Sequence, residues 1–214
     1  QGFPVVCFTI TTLFSGSYNS AINAKSLVLE DYPDANICVI DSKQNTVTQA
    51  LLIDQFVRML EDGLSFEQAM SKLDALMASA RIFFTVGSLD YLKMGGRIGK
   101  VATAATGKLG VKPVIIMKDG DICLGGIGRN RNKLKNSVLQ VAKKYLDENN
   151  KDNFIVSVGY GYDKEEGFEF MKEVESTLDV KLDSETNVAI GIVSAVHTGP
   201  YPIGLGVIRK YETL

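Results

Sequence analysis

A strand followed by a helix opens the chain and is then repeated, and that repetition restricts the fold more than any other feature. Pro4 to Ile10 is an apolar, β-branched run of strand length. Beyond the polar bridge Thr11 to Ser17, the residues Tyr18, Ala21, Ile22, Val28, Leu29 and Tyr32 recur near the helical period until Pro33 ends the pattern. Asn36 to Ile40 is a second strand run with a polar exit at Asp41-Ser42, and Val47 to Glu61 is a second helix, closed before Gly63. Successive strand-helix units return the chain in the same direction each time, so their strands lie parallel. Ser65-Phe66-Glu67-Gln68 has capping-box spacing, and Phe66, Ala69, Met70, Leu73, Met77 and Ala80 then share one helix face.

After the strand Arg81 to Val86 the pattern changes. Lys112 to Lys118 and Asp121 to Leu124 flank Asp119-Gly120, the strongest short hairpin signal, and a hairpin pairs its strands antiparallel. The chain therefore reads as an α/β protein with a Rossmann-like parallel-sheet domain over residues 1–81, followed by a second α/β domain with a mixed or antiparallel sheet over residues 82–214. In the second domain Leu134 to Leu146 reads as a helix, Asn153 to Tyr160 as a strand and Phe168 to Leu178 as a helix. Val188 to Val196 follows as a strand, His197 to Pro200 as a turn and Gly204 to Ile208 as a final strand. The small-residue segment Lys100 to Leu109 fits either a tightly packed helix or a loop.

Composition narrows the chemistry. With 23 Lys and Arg against 25 Asp and Glu, the net charge of -2 supplies no general attraction for nucleic acid or an anionic membrane. No apolar run approaches the ~20 residues that span a bilayer, and no basic-then-apolar segment leads the chain, so a cytoplasmic protein with at most transient membrane contact is expected. Cys7, Cys38 and Cys123 form no C-x-x-C pair, and His197 is the single histidine, which leaves no metal-ligand set. There is no phosphate-binding G-x-x-x-x-G-K-[ST], and Gly159-Tyr160-Gly161 lacks the third glycine of a dinucleotide fingerprint.

Three positions remain for anion chemistry. Ser15 or Ser17 is expected to cap a helix that opens just after a strand, where free N–H groups and the helix dipole favour a negative group. Ser88 to Gly99 reads as a short helical turn closed by Gly95-Gly96, with Gly95 in the left-handed conformation and Arg97 held at the corner, its planar fork suited to a carboxylate or phosphate. His197 sits in a glycine-proline turn and can donate to the same kind of group. The same residues also read as ordinary caps around a solvated arginine. A hydrolase triad of Ser15, His197 and Asp41 is a further reading, without the G-x-S-x-G elbow, and a non-binding interaction module is another. Arg129, Arg131, Lys133, Lys135, Lys143 and Lys144 flank one helix, as a solvated face or as a docking surface for an acidic partner.

Taken in order, the motifs resemble the DegV family. Ser15-Gly16-Ser17-Tyr18-Asn19-Ser20-Ala21 is similar to its S-G-T-Y-x-S-A segment, Val39-Ile40-Asp41-Ser42 to its V-x-D-S strand end, and Leu89 to Ile98 to its L-x-Y-L-K-x-G-G-R-I signature. Lys112-Pro113, the Asp119-Gly120 hairpin and His197-Thr198-Gly199-Pro200 continue the resemblance over nearly the whole chain. It implies a two-domain α/β protein that binds a long-chain fatty acid between its domains, without cofactor, metal or catalytic residue of its own. Such a subunit presents the acid's carboxyl to the separate ATP-binding subunit of a bacterial fatty acid kinase, which forms the acyl phosphate. The resemblance puts Ser15, Gly16, Arg97 and His197 around the carboxylate, with Ser17, Gly95, Gly96, Thr198 and Gly199 shaping the pocket. It also favours Arg129, Arg131, Lys133 and Lys135 as a kinase-docking surface. Two features depart from the family pattern. The D-S-T strand and T-S-Q-P-type segment that precede S-G-T-Y have no counterpart, so an incomplete first domain is expected. Tyr201 stands where Gly is common, and its ring is expected to reshape the pocket mouth.

Overall fold

Val5–Thr9 (β1) and Ile37–Asp41 (β2) pair in parallel, Val5 opposite Ile37 and Thr9 opposite Asp41, in a computed structural model that describes residues 2–101, 112–182 and 187–214. The crossover between them is α1 (Ser17–Asp31), and β2 leads into α2 (Thr46–Glu61) and α3 (Phe66–Ser79). The expected capping box is present at α3: the Ser65 hydroxyl accepts from the Gln68 N–H at 3.2 Å, and the Gln68 side chain accepts from the Ser65 N–H at 2.8 Å. No residue of α1 is fully buried, and Leu27 is 65% exposed.

The second sheet has six strands in the order β5-β4-β3-β8-β6-β7. They are β3 (Arg81–Thr85), β4 (Lys112–Lys118), β5 (Asp121–Gly128), β6 (Phe154–Tyr160), β7 (Val188–Ala189) and β8 (Ile203–Arg209). All neighbours are antiparallel except β6 and β7. The fold is thus α/β with one parallel and one mixed sheet. Helices α4 (Asp90–Met94), α5 (Arg131–Glu148), α6 (Lys164–Leu178) and α7 (Ile192–Thr198) complete the described α-helices, and short 3-10 turns occur at Gly99–Val101, Lys151–Asn153 and Tyr211–Thr213. Most of the Lys100 to Leu109 segment lies outside the described residues.

Alternation along β8 explains how the sheet holds two layers of helices. Ile203, Leu205 and Val207 face a core shared with Leu134, Val138 and Leu146 of α5 and Phe170 and Val174 of α6. The opposite face presents Gly206 and Ile208. A Cβ on Gly206 would lie 2.4 Å from Val47 Cγ2, so only a bare backbone lets the first turn of α2 come this close. Further along, Ile208 joins Leu52, Phe56, Met59, Leu73 and Leu76 in a core that also takes Val6, Phe8 and Ile40 from the two-stranded sheet.

The Asp119-Gly120 hairpin has positive φ at both positions, 51° and 82°, as a primed two-residue turn requires. Its tip is docked: Thr11 Oγ1 donates to the Gly120 carbonyl at 3.0 Å. One expectation fails. Val188 to Val196 is a strand only as far as Ala189, because its partner β6 ends at Tyr160 and the last ladder bond is Ile190 N–H to Tyr160 O, 2.8 Å. Beyond Gly191 the chain turns into α7, so His197 and Thr198 end a helix rather than form a turn. The β-branched run satisfied strand propensity, but strand formation needs a neighbour to pair with.

Gly120→Val is expected to cost about 1–3 kcal/mol in urea unfolding, since valine disfavours this φ and its Cβ would meet Thr11 Oγ1 at 2.7 Å. The Tyr211 hydroxyl donates to Asp62 Oδ2, and that bond, followed by burial, pushes the phenol up to about 12. The unfolded chain then loses this proton near pH 10, before the folded one does. Stability is expected to fall as pH rises from 10 toward 12, and Tyr211→Phe to show a shallower fall in pH-dependent denaturation.

Candidate functional site

A cavity of about 210 Å³ opens where the C-terminal ends of β1 and β2 meet the six-stranded sheet, far larger than the ~30 Å³ share of one water. Ligands of open α/β sheets favour this end, where loops diverge and helices begin. Its walls are mainly apolar: Ile10 and Phe14 after β1, Val47 of α2, Ile82 and Phe84 of β3, Met117 of β4 and Ile122 of β5. Leu92 of α4, Ile190, Val193 of α7, Pro202 and Ile203 of β8 add to them. Ser15, Ser17, Asn45, Thr46, Arg97, Ser194, His197 and Thr198 supply the polar groups. Among the described lining residues Arg97 is the one cationic side chain and no Asp or Glu appears.

The start of α1 differs from expectation. Gly16, not Ser15 or Ser17, is the N-cap, and as a glycine it makes no side-chain capping bond. Ser15 Oγ instead accepts from the Ser17 N–H at 3.2 Å and lies 2.6 Å from Ser17 Oγ. A serine two residues before an amide can bond it locally, which places the Ser15 hydroxyl beside the positive end of the helix.

The glycine corner is a Schellman motif, displaced by one residue. Gly95 is still helical at φ -76°, and Gly96 takes the left-handed conformation at φ 68°. The Arg97 N–H donates to Leu92 O at 2.9 Å and the Gly96 N–H to Lys93 O at 3.1 Å. Gly95 has a different reason to be glycine: a Cβ there would lie 2.2 Å from His197 Nδ1. The imidazole packs flush on that backbone, and Nδ1 is buried with no hydrogen-bond partner among the described residues. Arg97 leaves the corner toward the β1-α1 loop, with Nε and Nη2 donating to Phe14 O at 3.0 and 2.9 Å and Nη1 to Gly95 O at 2.6 Å.

The structure brings Ser15, Ser17, Arg97, His197 and Thr198 onto one cavity. Gly16, Gly95, Gly96 and Gly199 are not among the described lining residues, though each lies one or two positions in sequence from a residue that is. A Cβ on Gly199 would meet the Tyr91 ring at 2.5 Å. Tyr201 is not among the lining residues; its side chain lies over Gly87. The triad arrangement is not formed. Asp41 Oδ1 accepts from the Thr12 and Lys43 amides at 3.2 and 3.1 Å and Oδ2 from the Thr12 hydroxyl at 2.7 Å, which leaves His197 Nδ1 without an orienting carboxylate.

The basic set lies apart, at the start of α5. Arg131 makes a bidentate pair with Glu166 of α6, at 2.8 and 2.7 Å. Lys135 is buried, 3.5 Å from Glu173 and 4.0 Å from Glu166. Arg129 and Lys133 are exposed. Sequence reasoning missed Asn45, Thr46, Val47 and Ser194 as lining residues. The second parallel strand gave the signal for the first three, since its exit opens at the same end as that of β1. Ser194 could not be found while α7 was read as a strand. No group of side chains suited to a metal ion occurs among the described residues.

Gly95→Ala is expected to destabilise by about 1–3 kcal/mol and shift the His197 ring resonances. At a helical φ without the ring contact, alanine would instead stabilise by about 1 kcal/mol, so the sign of the change in denaturant titration tests the packing.

The family model described as "Uncharacterised protein, DegV family" matches residues 1–210. A DegV domain-containing protein of Clostridium perfringens is 32% identical over 201 residues, covering 93% of this chain and 67% of the relative. A fatty-acid-binding DegV family protein from Thermus thermophilus superposes with a TM-score of 0.84 at 25% identity, over 96% of this chain and 71% of that one. The Streptococcus pneumoniae Fatty Acid Kinase (Fak) B3 protein, solved loaded with linoleic acid, superposes with a TM-score of 0.76 at 22% identity, over 96% and 71%. From the near-complete family match and the agreement in fold, the chain belongs to the DegV family.

Proposed function

We propose that this protein binds a long-chain fatty acid in the cavity, between a unit of residues 1–81 and a unit of residues 82–214, and holds the carboxylate among Ser15, Gly16, Arg97 and His197. The single observation that carries this reading is an apolar cavity whose described lining holds a cation, hydroxyls and an unpartnered imidazole nitrogen but no acid. Each buried methylene of an acyl chain contributes ~0.8 kcal/mol, so the apolar walls supply affinity. A buried carboxylate without donors is costly, so the polar groups supply tolerance for the charged end. The Thermus thermophilus relative binds fatty acid and the Streptococcus pneumoniae one carries linoleic acid, in keeping with this reading.

In this proposal the chain is a non-catalytic cytoplasmic subunit that needs no cofactor and presents the carboxyl to a separate kinase subunit for acyl-phosphate formation. The kinship with a Fak B3 protein supports the partner. Docking falls on Arg129 and Lys133, with Arg131 and Lys135 bracing that surface through Glu166 and Glu173. No helix among the described residues is long and apolar enough to cross a membrane.

Denaturing extraction of protein purified from cells, followed by mass spectrometry, is expected to release a long-chain acid. An empty extract together with no binding of added hexadecanoate overturns the proposal. Ser15→Ala and His197→Ala are each expected to weaken hexadecanoate binding by roughly tenfold or more, the loss of about 1.5–3 kcal/mol for a hydrogen bond to a charged group. Arg129→Glu with Lys133→Glu is expected to leave lipid retention unchanged while lowering acyl-phosphate formation with a kinase subunit about tenfold, read by phosphate transfer from labelled ATP.

A further inference from the structure

Arg97 lines the cavity, yet its guanidinium is aimed at protein. Three hydrogen bonds, two to Phe14 O and one to Gly95 O, occupy more than half of its N–H donors. Both acceptors matter through what they adjoin. Phe14 directly precedes Ser15, and the N–H groups of both residues donate to Thr11 O, at 3.0 and 3.2 Å. Gly95 is the backbone on which the His197 ring lies. One side chain therefore joins the loop that carries Ser15 to the turn that backs His197, across a separation of 83 residues.

We propose that Arg97 is a positioning residue: a clamp that sets the separation of Ser15 and His197, so that these two and the first turn of α1 hold the ligand's anionic end directly. The shape of the clamp explains why arginine stands here. Phe14 O receives two N–H groups from one planar fork, a geometry that the point charge of a lysine ammonium does not reproduce. Arg97 keeps its charge inside a cavity wall without described acidic residues, so it still favours an anion at a distance, while the contacts that read the carboxylate belong to its neighbours. The identity of the ligand rests on the fatty-acid reading above; the clamp does not.

Arg97→Lys keeps the charge and loses the fork, and Arg97→Gln loses both. Hydrogen exchange of the ligand-free proteins, read by mass spectrometry, is paired with binding of hexadecanoate and of 1-hexadecanol. In both variants, exchange is expected to quicken about tenfold in peptides spanning residues 13–19 and 193–199, with β6 unchanged. Arg97→Lys is expected to lose about as much hexadecanoate affinity as Arg97→Gln, roughly tenfold, and to lose part of its preference for the acid over the alcohol. Wild-type exchange in Arg97→Lys overturns the clamp, as does faster exchange everywhere, β6 included. Hexadecanoate affinity within about twofold of wild type in Arg97→Lys, beside a fall in Arg97→Gln, also overturns it and makes Arg97 a direct charge partner. A wild-type protein that binds neither probe sinks the fatty-acid reading, and the exchange comparison still decides the clamp.

Discussion

The first turn of α2 lies against the bare backbone of β8, and the positions of both sheets follow from that contact. Gly206 allows Val47 to approach, and the side chains farther along α2 reach Ile208 on one side and Phe8 and Ile40 on the other. The two-stranded sheet, too small to stand alone, acquires a core only by sharing this helix. A side chain at residue 206 would push α2 outward and separate the parallel strands from the sheet that faces them. The cavity lies at the end of the same contact, with Val47 in its wall, so packing and site are consequences of one close approach.

Polar groups reach the cavity from separate elements, and each is held by backbone. The Ser15 hydroxyl is turned by the Ser17 amide, Arg97 by two carbonyls, and His197 by the flat surface of Gly95. None of the three makes an ion pair among the described residues. Among the described lining residues that arrangement leaves the local charge positive, with no acidic side chain to repel an incoming anion. His197 Nδ1 has no partner among the described residues, and a buried donor or acceptor left unmade is costly, so a hydrogen bond from a bound ligand would be favourable there.

Much of this was legible from the chain alone. The repeated strand-helix units and the Asp119-Gly120 hairpin announce local geometry, because period and turn chemistry act within a few residues, and they located both sheets. Ser15, Arg97 and His197 stood out because hydroxyl, guanidinium and imidazole next to glycine corners are uncommon in otherwise apolar surroundings. What could not be read depended on distant partners. Val188 to Val196 has strand propensity throughout, and only the end of β6 at Tyr160 converts its second half to a helix. Gly96 rather than Gly95 takes the left-handed turn, and Gly95 must be bare for another reason, a ring about a hundred residues away that lies over it. Arg131 and Lys135 looked like solvent-facing charges until Glu166 and Glu173 arrived from α6.

The docked hairpin tip has a consequence in time rather than in space. Thr11 and Gly120 are 109 residues apart in sequence, and Phe14 and Arg97 are 83 apart, so the loops around the cavity are tied together by long-range bonds. Contacts of that span form only after the entropy of closing long loops has been overcome. Helices and hairpins can be in place while the cavity does not yet exist. Completion of the site therefore reports completion of the fold, and any ligand that requires the whole cavity selects finished molecules over nearly finished ones.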